Sequence, residues 1–269
     1  SHQTIRVNTP DDPDRVVTQA YAELEAAIKE AETRFPGIDL SSAKGVLDNS
    51  ESTDEQLAEA LGTLPALQLA HLLRLMNDAS DVNPVDASYL MKGTACSDAD
   101  GWGGSSMTYS NGILTASDKD FNMHQELTSL PNGVYRVSLK GTSRYGAGSV
   151  YYTRPGQVTA AQRNLMLYAT ASGARMNKPF GDIHDTQYSS LASKGAASEA
   201  DYTGQGWFSP TDVNTAKLWM GQGRYSDNHV LAYVNDGVMT IGLTRENHQD
   251  GDVLYADDWG LTYYGDSKE

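Results

Sequence analysis

The spacing of apolar residues changes once along this chain, at the turn-forming stretch Asp81-Val82-Asn83-Pro84-Val85-Asp86, and this change constrains the fold more than any other feature. Before it, apolar residues recur at steps of three and four, the period of an amphipathic helix. After it, short runs alternate apolar with polar residues between turn signals, as strands half-buried in a sheet do. The sequence therefore predicts a helical domain over residues 1–82 and a β domain over residues 83–269.

The first domain is predicted to be a small antiparallel helical bundle. Apolar stripes predict helices over residues 16–35, 41–47 and 53–76. The last of these begins with Thr53 as N-cap and Gln56 three residues later, which is the spacing of a capping box. Pro65 lies inside this third stripe, and proline is expected to kink or divide a helix because it lacks the backbone N–H.

The second domain is predicted to be an antiparallel β-sandwich, because many short strands are separated by regular turn signals. Asn111-Gly112 and Asp236-Gly237 are two-residue hairpin signals. The predicted strands cover residues 88–91, 106–109, 113–116, 122–127, 133–141, 165–171, 229–234, 238–244 and 255–264.

Two segments interrupt this pattern of strands. Residues 173–206 show little periodicity and are rich in Ser, Ala, Gly and Asp, which predicts a long irregular excursion from the sandwich. Ser209 and Pro210 then predict the start of a single helix, with Ser209 as the N-cap and Pro210 in the first turn.

Charge and composition exclude several classes of function. The chain has 35 acidic and 20 basic residues, a formal net charge of -15, and no cluster of Lys and Arg. Such a surface repels phosphates, so nucleic acid is not expected as a partner. No apolar run approaches the roughly 18 residues of a transmembrane segment. Cys96 is the single cysteine, so it can form neither an internal disulfide nor a cysteine-based metal site, and it is expected to be a small, half-buried core residue.

Three stretches of the second domain carry a resemblance to a known type of module. They are "DASYLMKGTACSDADGWGG" (86–104), "FNMHQELTSLPNGVYRVSLKG" (121–141) and "DDWGLTYYGD" (257–266). The chain resembles modules of secreted and surface proteins of glycan-foraging gut bacteria, in which a small helical unit precedes a galactose-binding-like jelly roll often grouped with carbohydrate-binding modules. The resemblance implies a β-sandwich of this type and a non-catalytic role in binding a glycan.

The same resemblance implies where the protein works and what it meets there. An extracellular or outer-membrane surface location is expected, with a lipid anchor before processing as one form of attachment. The expected partners are a poly- or oligosaccharide and other modules of a larger surface protein. Ser1-His2 resembles the remnant of an expression tag, so any targeting segment is expected to have been removed before it.

The candidate glycan site lies where the predicted strand 133–141 ends in a loop rich in Gly and Ser. Aromatic rings pack on the C–H face of a sugar ring, and Arg, Asn and Asp side chains hydrogen-bond to its hydroxyl groups. The candidate carbohydrate-binding residues are Arg144, Tyr145, Tyr151, Tyr152 and Trp207. Alternatively, Tyr151 and Tyr152 continue into a strand with one ring in the core, and Trp207 plugs the end of the sandwich. The other tryptophans, Trp102, Trp219 and Trp259, are expected to be core or turn residues.

Metal binding and catalysis remain as alternatives. Asp98-Ala99-Asp100-Gly101 resembles the start of a calcium loop, to which Asp257 or Asp258 could contribute, although a turn without metal is the default and no cofactor is predicted. A structural or protein-interaction module is the second hypothesis for function. A glycoside hydrolase is the third, and it requires converging carboxylates, for instance Glu126 near Asp182 or Asp185.

Overall fold

The computed structural model describes residues 17–147, 158–183, 210 and 212–266. The chain forms two compact units, Ser1–Asp78 and Ala79–Glu269, called unit 1 and unit 2 below. Tyr151, Tyr152, Asp185 and Trp207 from the sequence-based hypotheses lie outside the described residues.

Unit 1 contains three helices in its described part: α1 (Gln19–Arg34), α2 (Ser41–Asp48) and α3 (Asp54–Asn77). The capping box at the start of α3 is confirmed, because the Thr53 hydroxyl accepts from the Gln56 amide while the Gln56 side chain accepts from the Thr53 amide. All three helices supply apolar residues to one core. Its fully buried members are Tyr21, Leu24, Ile28, Ala31, Leu40, Ala43, Leu57, Ala60 and Leu64.

The expected division of the third helix at Pro65 is wrong. α3 is continuous from Asp54 to Asn77 with Pro65 in its interior. Leu57 and Leu64 before the proline and Leu72 after it are all fully buried, so one apolar face extends past it. We attribute the continuity to this burial, which offsets the hydrogen bond that proline cannot donate.

Unit 2 is an antiparallel β-sandwich, as the sequence predicted. Sheet I has the strand order β3-β4-β11-β6-β9, with β1 paired to one end of β11, and sheet II has the order β2-β5-β10-β7-β8. The strands are β1 (Val85–Asp86), β2 (Gly103–Gly104), β3 (Thr108–Ser110), β4 (Ile113–Ser117), β5 (Phe121–Leu127), β6 (Gly133–Arg144), β7 (Leu165–Ala171), β8 (Ala174–Pro179), β9 (Asn228–Val234), β10 (Met239–Arg245) and β11 (Val253–Tyr263).

Three segments of unit 2 differ from the prediction. Residues 88–91 form no strand, because Ser88–Leu90 is a 3₁₀ turn whose Ser88 hydroxyl accepts from the Leu261 amide. Residues 174–179, at the start of the stretch expected to be irregular, form β8 and pair with β7. The predicted helix is α4 (Val213–Gly221). Its N-cap is Asp212 and not Ser209, the N-cap predicted from the sequence.

The two faces of sheet II have different roles. Along β5, Phe121, Met123 and Leu127 are buried toward sheet I, while the alternate residues are exposed or half-buried on the opposite side. β10 lies between β5 and β7 and pairs with both in register over seven residues. This register brings the outward side chains of neighbouring strands side by side and forms the outer face of sheet II.

Candidate functional site

Two of the five predicted site residues are described, and both contact the protein itself. Arg144 ends β6, is half-buried, and donates from Nε to the Gly251 carbonyl at 2.7 Å. Tyr145 is buried, and its hydroxyl donates to the Phe180 carbonyl at 2.6 Å. The ring of Tyr145 therefore offers no exposed face for stacking on a sugar.

As expected, Trp219 and Trp259 are buried core residues, and Trp102 is half-buried against Trp259. The rings of Trp102 and Trp259 are 4.4 Å apart, and Trp102 Nε1 donates to the Gly93 carbonyl at 3.2 Å. Trp219 is fully buried where α4 packs on sheet I.

Among the residues that the structure describes, those considered for metal binding or catalysis do not converge. Asp98 forms a turn in which its carboxylate accepts from the Asp100 amide at 2.9 Å. Glu126 is exposed on the outer face of β5, whereas Asp182 is buried beside β6, where residue 182 bridges to Ser143. Within the described residues, no three His, Cys, Asp or Glu side chains are grouped to hold a metal ion. Burial raises the pKa of the Cys96 thiol, which therefore stays protonated at neutral pH and is a poor nucleophile.

A groove of about 670 Å³ lies on the outer face of sheet II and is called the sheet II groove below. β7, β8 and β10 form its floor, and the segments before β7 and after β10 form one end. The groove is lined by Ala161, Gln162, Asn164, Met166, Arg175, Asn177, Thr244, Glu246, Asn247 and Gln249.

Tyr168 lies beside the groove because a glycine gives its ring room. Gly242 is the β10 residue paired with Tyr168, and a Cβ there would come within 2.8 Å of the Tyr168 ring and hydroxyl. The ring crosses β10 at this point, and its hydroxyl donates to Asn122 Oδ1 on β5 at 2.8 Å. Burial raises the pKa of the Tyr168 phenol, so the hydroxyl stays a neutral donor in this bond.

Arg175 covers the Tyr168 ring from the edge strand β8. Its guanidinium carbon is 3.8 Å from the ring centroid, a cation–π contact, and its Nε donates to Asn177 Oδ1 at 2.9 Å. Arg175 and Asn177 are two residues apart on one strand and therefore share the outer face of the sheet. These contacts hold an exposed cation in a defined position within the groove.

A buried ion pair positions the other end of the groove. Asp252 and Arg245 are both almost completely buried, and Arg245 Nε is 3.7 Å from Asp252 Oδ2. Burial lowers the pKa of the Arg245 guanidinium, and the Asp252 carboxylate opposes that shift. The Asp252 carboxylate also accepts from the Asn164 side chain at 2.8 Å and from the backbone N–H of Gln249 at 2.9 Å. Asn164 and Gln249 both line the groove.

The segment predicted to bind glycan adjoins this same end of the groove. Asp252 accepts from the Gly146 amide at 2.6 Å, and Arg144 bonds to the neighbouring Gly251. The described part of the predicted site is therefore adjacent to the groove, but the prediction does not include the groove's lining residues on β7 and β8. The Ser172-Gly173 pair, which joins these two strands with positive φ at both residues, was the available signal for the hairpin.

Comparison with solved structures gives several weak likenesses, two of which are described here. The carbohydrate-binding module TmCBM61, solved in complex with beta-1,4-galactotriose, is 14% identical over 64% of this chain and 96% of its own, with a TM-score of 0.35. The GH115 4-O-methyl-alpha-glucuronidase BtGH115A, described as specific for decorated arabinogalactans, is 9% identical over 91% of this chain, with a TM-score of 0.30.

Neither likeness assigns a family or a function to this chain. The alignment with the glucuronidase spans only 33% of that enzyme. Both TM-scores lie below 0.5, so neither likeness establishes a shared fold or function. No family model and no curated protein sequence matches the chain. Within the described residues, no helix has the length and apolar character needed to cross a bilayer.

Proposed function

We propose that unit 2 is a non-catalytic carbohydrate-binding module and that it binds a glycan in the sheet II groove. The observation that carries this proposal is the chemistry of the lining, in which amide side chains outnumber every other polar type. The five amides are Gln162, Asn164, Asn177, Asn247 and Gln249, against one cation, Arg175, and one carboxylate, Glu246.

Amide side chains match the chemistry of a sugar. Each amide carries two N–H donors and a carbonyl acceptor, and each sugar hydroxyl both donates and accepts, so an amide that is not engaged within the protein can bond two neighbouring hydroxyl groups. Asn164 is already engaged, because its Nδ2 donates to the Asn247 carbonyl at 3.1 Å and to Asp252 Oδ2 at 2.8 Å, so recognition depends on the other four amides. A site for an apolar ligand would instead be lined mainly by aliphatic and aromatic side chains. A polyhydroxylated, largely uncharged ligand therefore fits this groove best.

The form of the groove favours weak binding by a single module. It lies on the open face of a sheet, so a bound oligosaccharide keeps part of its surface in water, and little area is buried to offset the cost of ordering it. A module of this kind contributes through avidity when it is joined to others in a larger secreted or surface protein, which is the setting we propose for it.

Affinity gel electrophoresis on a panel of plant, host and microbial glycans tests this function. The wild-type chain is expected to be retarded by at least one of them. Asn177→Ala removes one groove amide and should weaken the retardation about 3- to 10-fold, the range for a neutral hydrogen bond of about 0.5–1.5 kcal/mol.

Asn235→Ala is the matched control, because Asn235 is an exposed amide of unit 2 that does not line the groove. Its retardation should equal that of the wild type. The proposal fails if the wild type binds none of the glycans, or if both substitutions weaken binding equally.

A further inference from the structure

Arg175 is an exposed cation that forms no ion pair with any described residue. Its contacts within the described part of the chain are the Tyr168 ring and the Asn177 side chain. This is unexpected in a protein with 35 acidic and only 20 basic residues, where carboxylates are abundant. The guanidinium is thus held in place by an aromatic ring and an amide, neither of which neutralises its charge.

These two contacts leave most of the guanidinium available to a ligand. Arg175 has five N–H donors in a planar fork, and the Nε–H alone is used by Asn177. The two terminal amino groups can bond both oxygens of a planar anion such as a carboxylate. Because the ring contact restrains the side chain, less conformational freedom is lost on binding than for an unrestrained surface arginine.

The charges of the groove are separated along its length. Arg175 on β8 is paired with Thr170 on β7. Glu246 directly follows Arg245 of β10, and Arg245 is paired with Leu165 on β7. The Arg175 guanidinium lies over Tyr168, which is three residues from Leu165 along β7, roughly 10 Å at about 3.4 Å per residue. The lining at the Glu246 end is otherwise amide and neutral, so it suits the uncharged part of a glycan.

The net charge of -15 adds a constraint on the ligand. A polyanionic glycan would be repelled by the protein surface as a whole, whereas a single anionic group placed on Arg175 would gain a local charge-assisted hydrogen bond. The favoured ligand is therefore mainly neutral and carries an isolated negative charge.

We infer that the sheet II groove recognises a mainly neutral glycan bearing one acidic sugar, and that Arg175 binds the acidic group. This inference rests on the proposed glycan-binding function and specifies its ligand class. The acidic group is a carboxylate, as in a uronic acid, or a sulfate ester, since both present oxygens to the same fork.

NMR titration of the full chain tests the inference, with the side-chain amides of Asn177 and Gln162 as reporters. The probes are sodium glucuronate and galacturonate, each compared with its neutral sugar, glucose or galactose. At least one uronate is expected to bind about tenfold more tightly than its neutral counterpart, a difference of about 1.4 kcal/mol. Glucose 6-sulfate tests the sulfate ester, and sodium acetate tests the anion without the sugar.

Arg175→Gln should abolish the preference, so that acidic and neutral sugars bind this variant with equal affinity, and Arg175→Lys should keep only part of the preference. Lys178→Gln is the matched control, since it removes a charge from the same strand but from its other face. Unchanged amide spectra outside the groove verify that each variant is folded.

Each outcome decides between the claims. Equal binding of acidic and neutral sugars overturns the acidic specificity and leaves the glycan-binding function standing. Equal loss in Lys178→Gln overturns the role of Arg175. Binding of acetate as tight as that of the uronates overturns recognition of the sugar that carries the acidic group. If no sugar perturbs the reporters, the proposed function and this inference both fail.

Discussion

At the scale of single residues, Asp252 has the largest predicted effect on stability. Its carboxylate joins three segments that are distant in sequence, through the side chain of Asn164 and the amides of Gly146 and Gln249. It also faces the buried guanidinium of Arg245. One side chain therefore secures the loop that forms one end of the groove.

Asp252→Asn should lower the free energy of unfolding of unit 2 by about 3 kcal/mol or more, because it leaves the Arg245 charge buried without its counter-charge. Urea unfolding followed by tryptophan fluorescence measures this. Asp250→Asn, at an exposed position two residues away, is the control and should change stability by less than about 0.5 kcal/mol. A loss below about 1 kcal/mol for Asp252→Asn would contradict the structural role of this pair.

The candidate site was only partly predictable at this scale. An arginine ending a predicted strand drew attention to Arg144, and that segment does lie next to the groove. Tyr145 was predicted from the same composition of the loop, but composition cannot say which way a ring points, and its ring is buried. Arg175 and Asn177 were missed because their segment was predicted to be irregular. Nothing in the neighbouring sequence indicates that their side chains line a groove.

At the scale of elements, α3 illustrates how local signals compete. The capping box at Thr53 and Gln56 supplies hydrogen bonds to backbone groups that the helix itself leaves unpaired. Gly62 and Pro65, in the interior of the same helix, oppose helix formation. The helix forms over its whole length because its apolar face is buried against α1 and α2.

Two substitutions in α3 should therefore change stability in opposite directions. Thr53→Ala removes the cap and should destabilise unit 1 by about 1 kcal/mol. Gly62→Ala should stabilise it by about 0.5–1 kcal/mol, because a Cβ there meets no atom within 4 Å and Ala costs less conformational entropy. Hydrogen exchange of the α3 amides in the full chain measures both changes, and equal signs for the two variants would contradict this account.

The strands also show where local sequence signals succeed and where they fail. Most predicted strands are present within a few residues, because alternation and turn residues are local properties. The segment at 88–91 was predicted as a strand, but Ser88–Leu90 forms a 3₁₀ turn whose Ser88 hydroxyl accepts from the Leu261 amide of β11. β8 was missed because its residues, Ala174–Pro179, are mostly exposed and show no apolar face.

At the scale of the whole molecule, the chain consists of two compact units, and the groove belongs to unit 2 alone. We expect a chain that starts at Ala79 to fold and to bind glycan with the affinity of the full chain. Circular dichroism followed by affinity gel electrophoresis measures this. A folded unit 2 that has lost binding would show that unit 1 contributes to the site.

The sequence by itself determined the helices, most strands and the antiparallel sandwich, because capping, alternation and turn chemistry depend on neighbouring residues. Only the tertiary structure determined where the groove lies and which residues line it. Its lining comes from segments that meet once β10 is inserted between β5 and β7, and a slip of one residue in that pairing would turn the outward side chains into the core. A register of this kind is a property of paired strands, and no single segment encodes it.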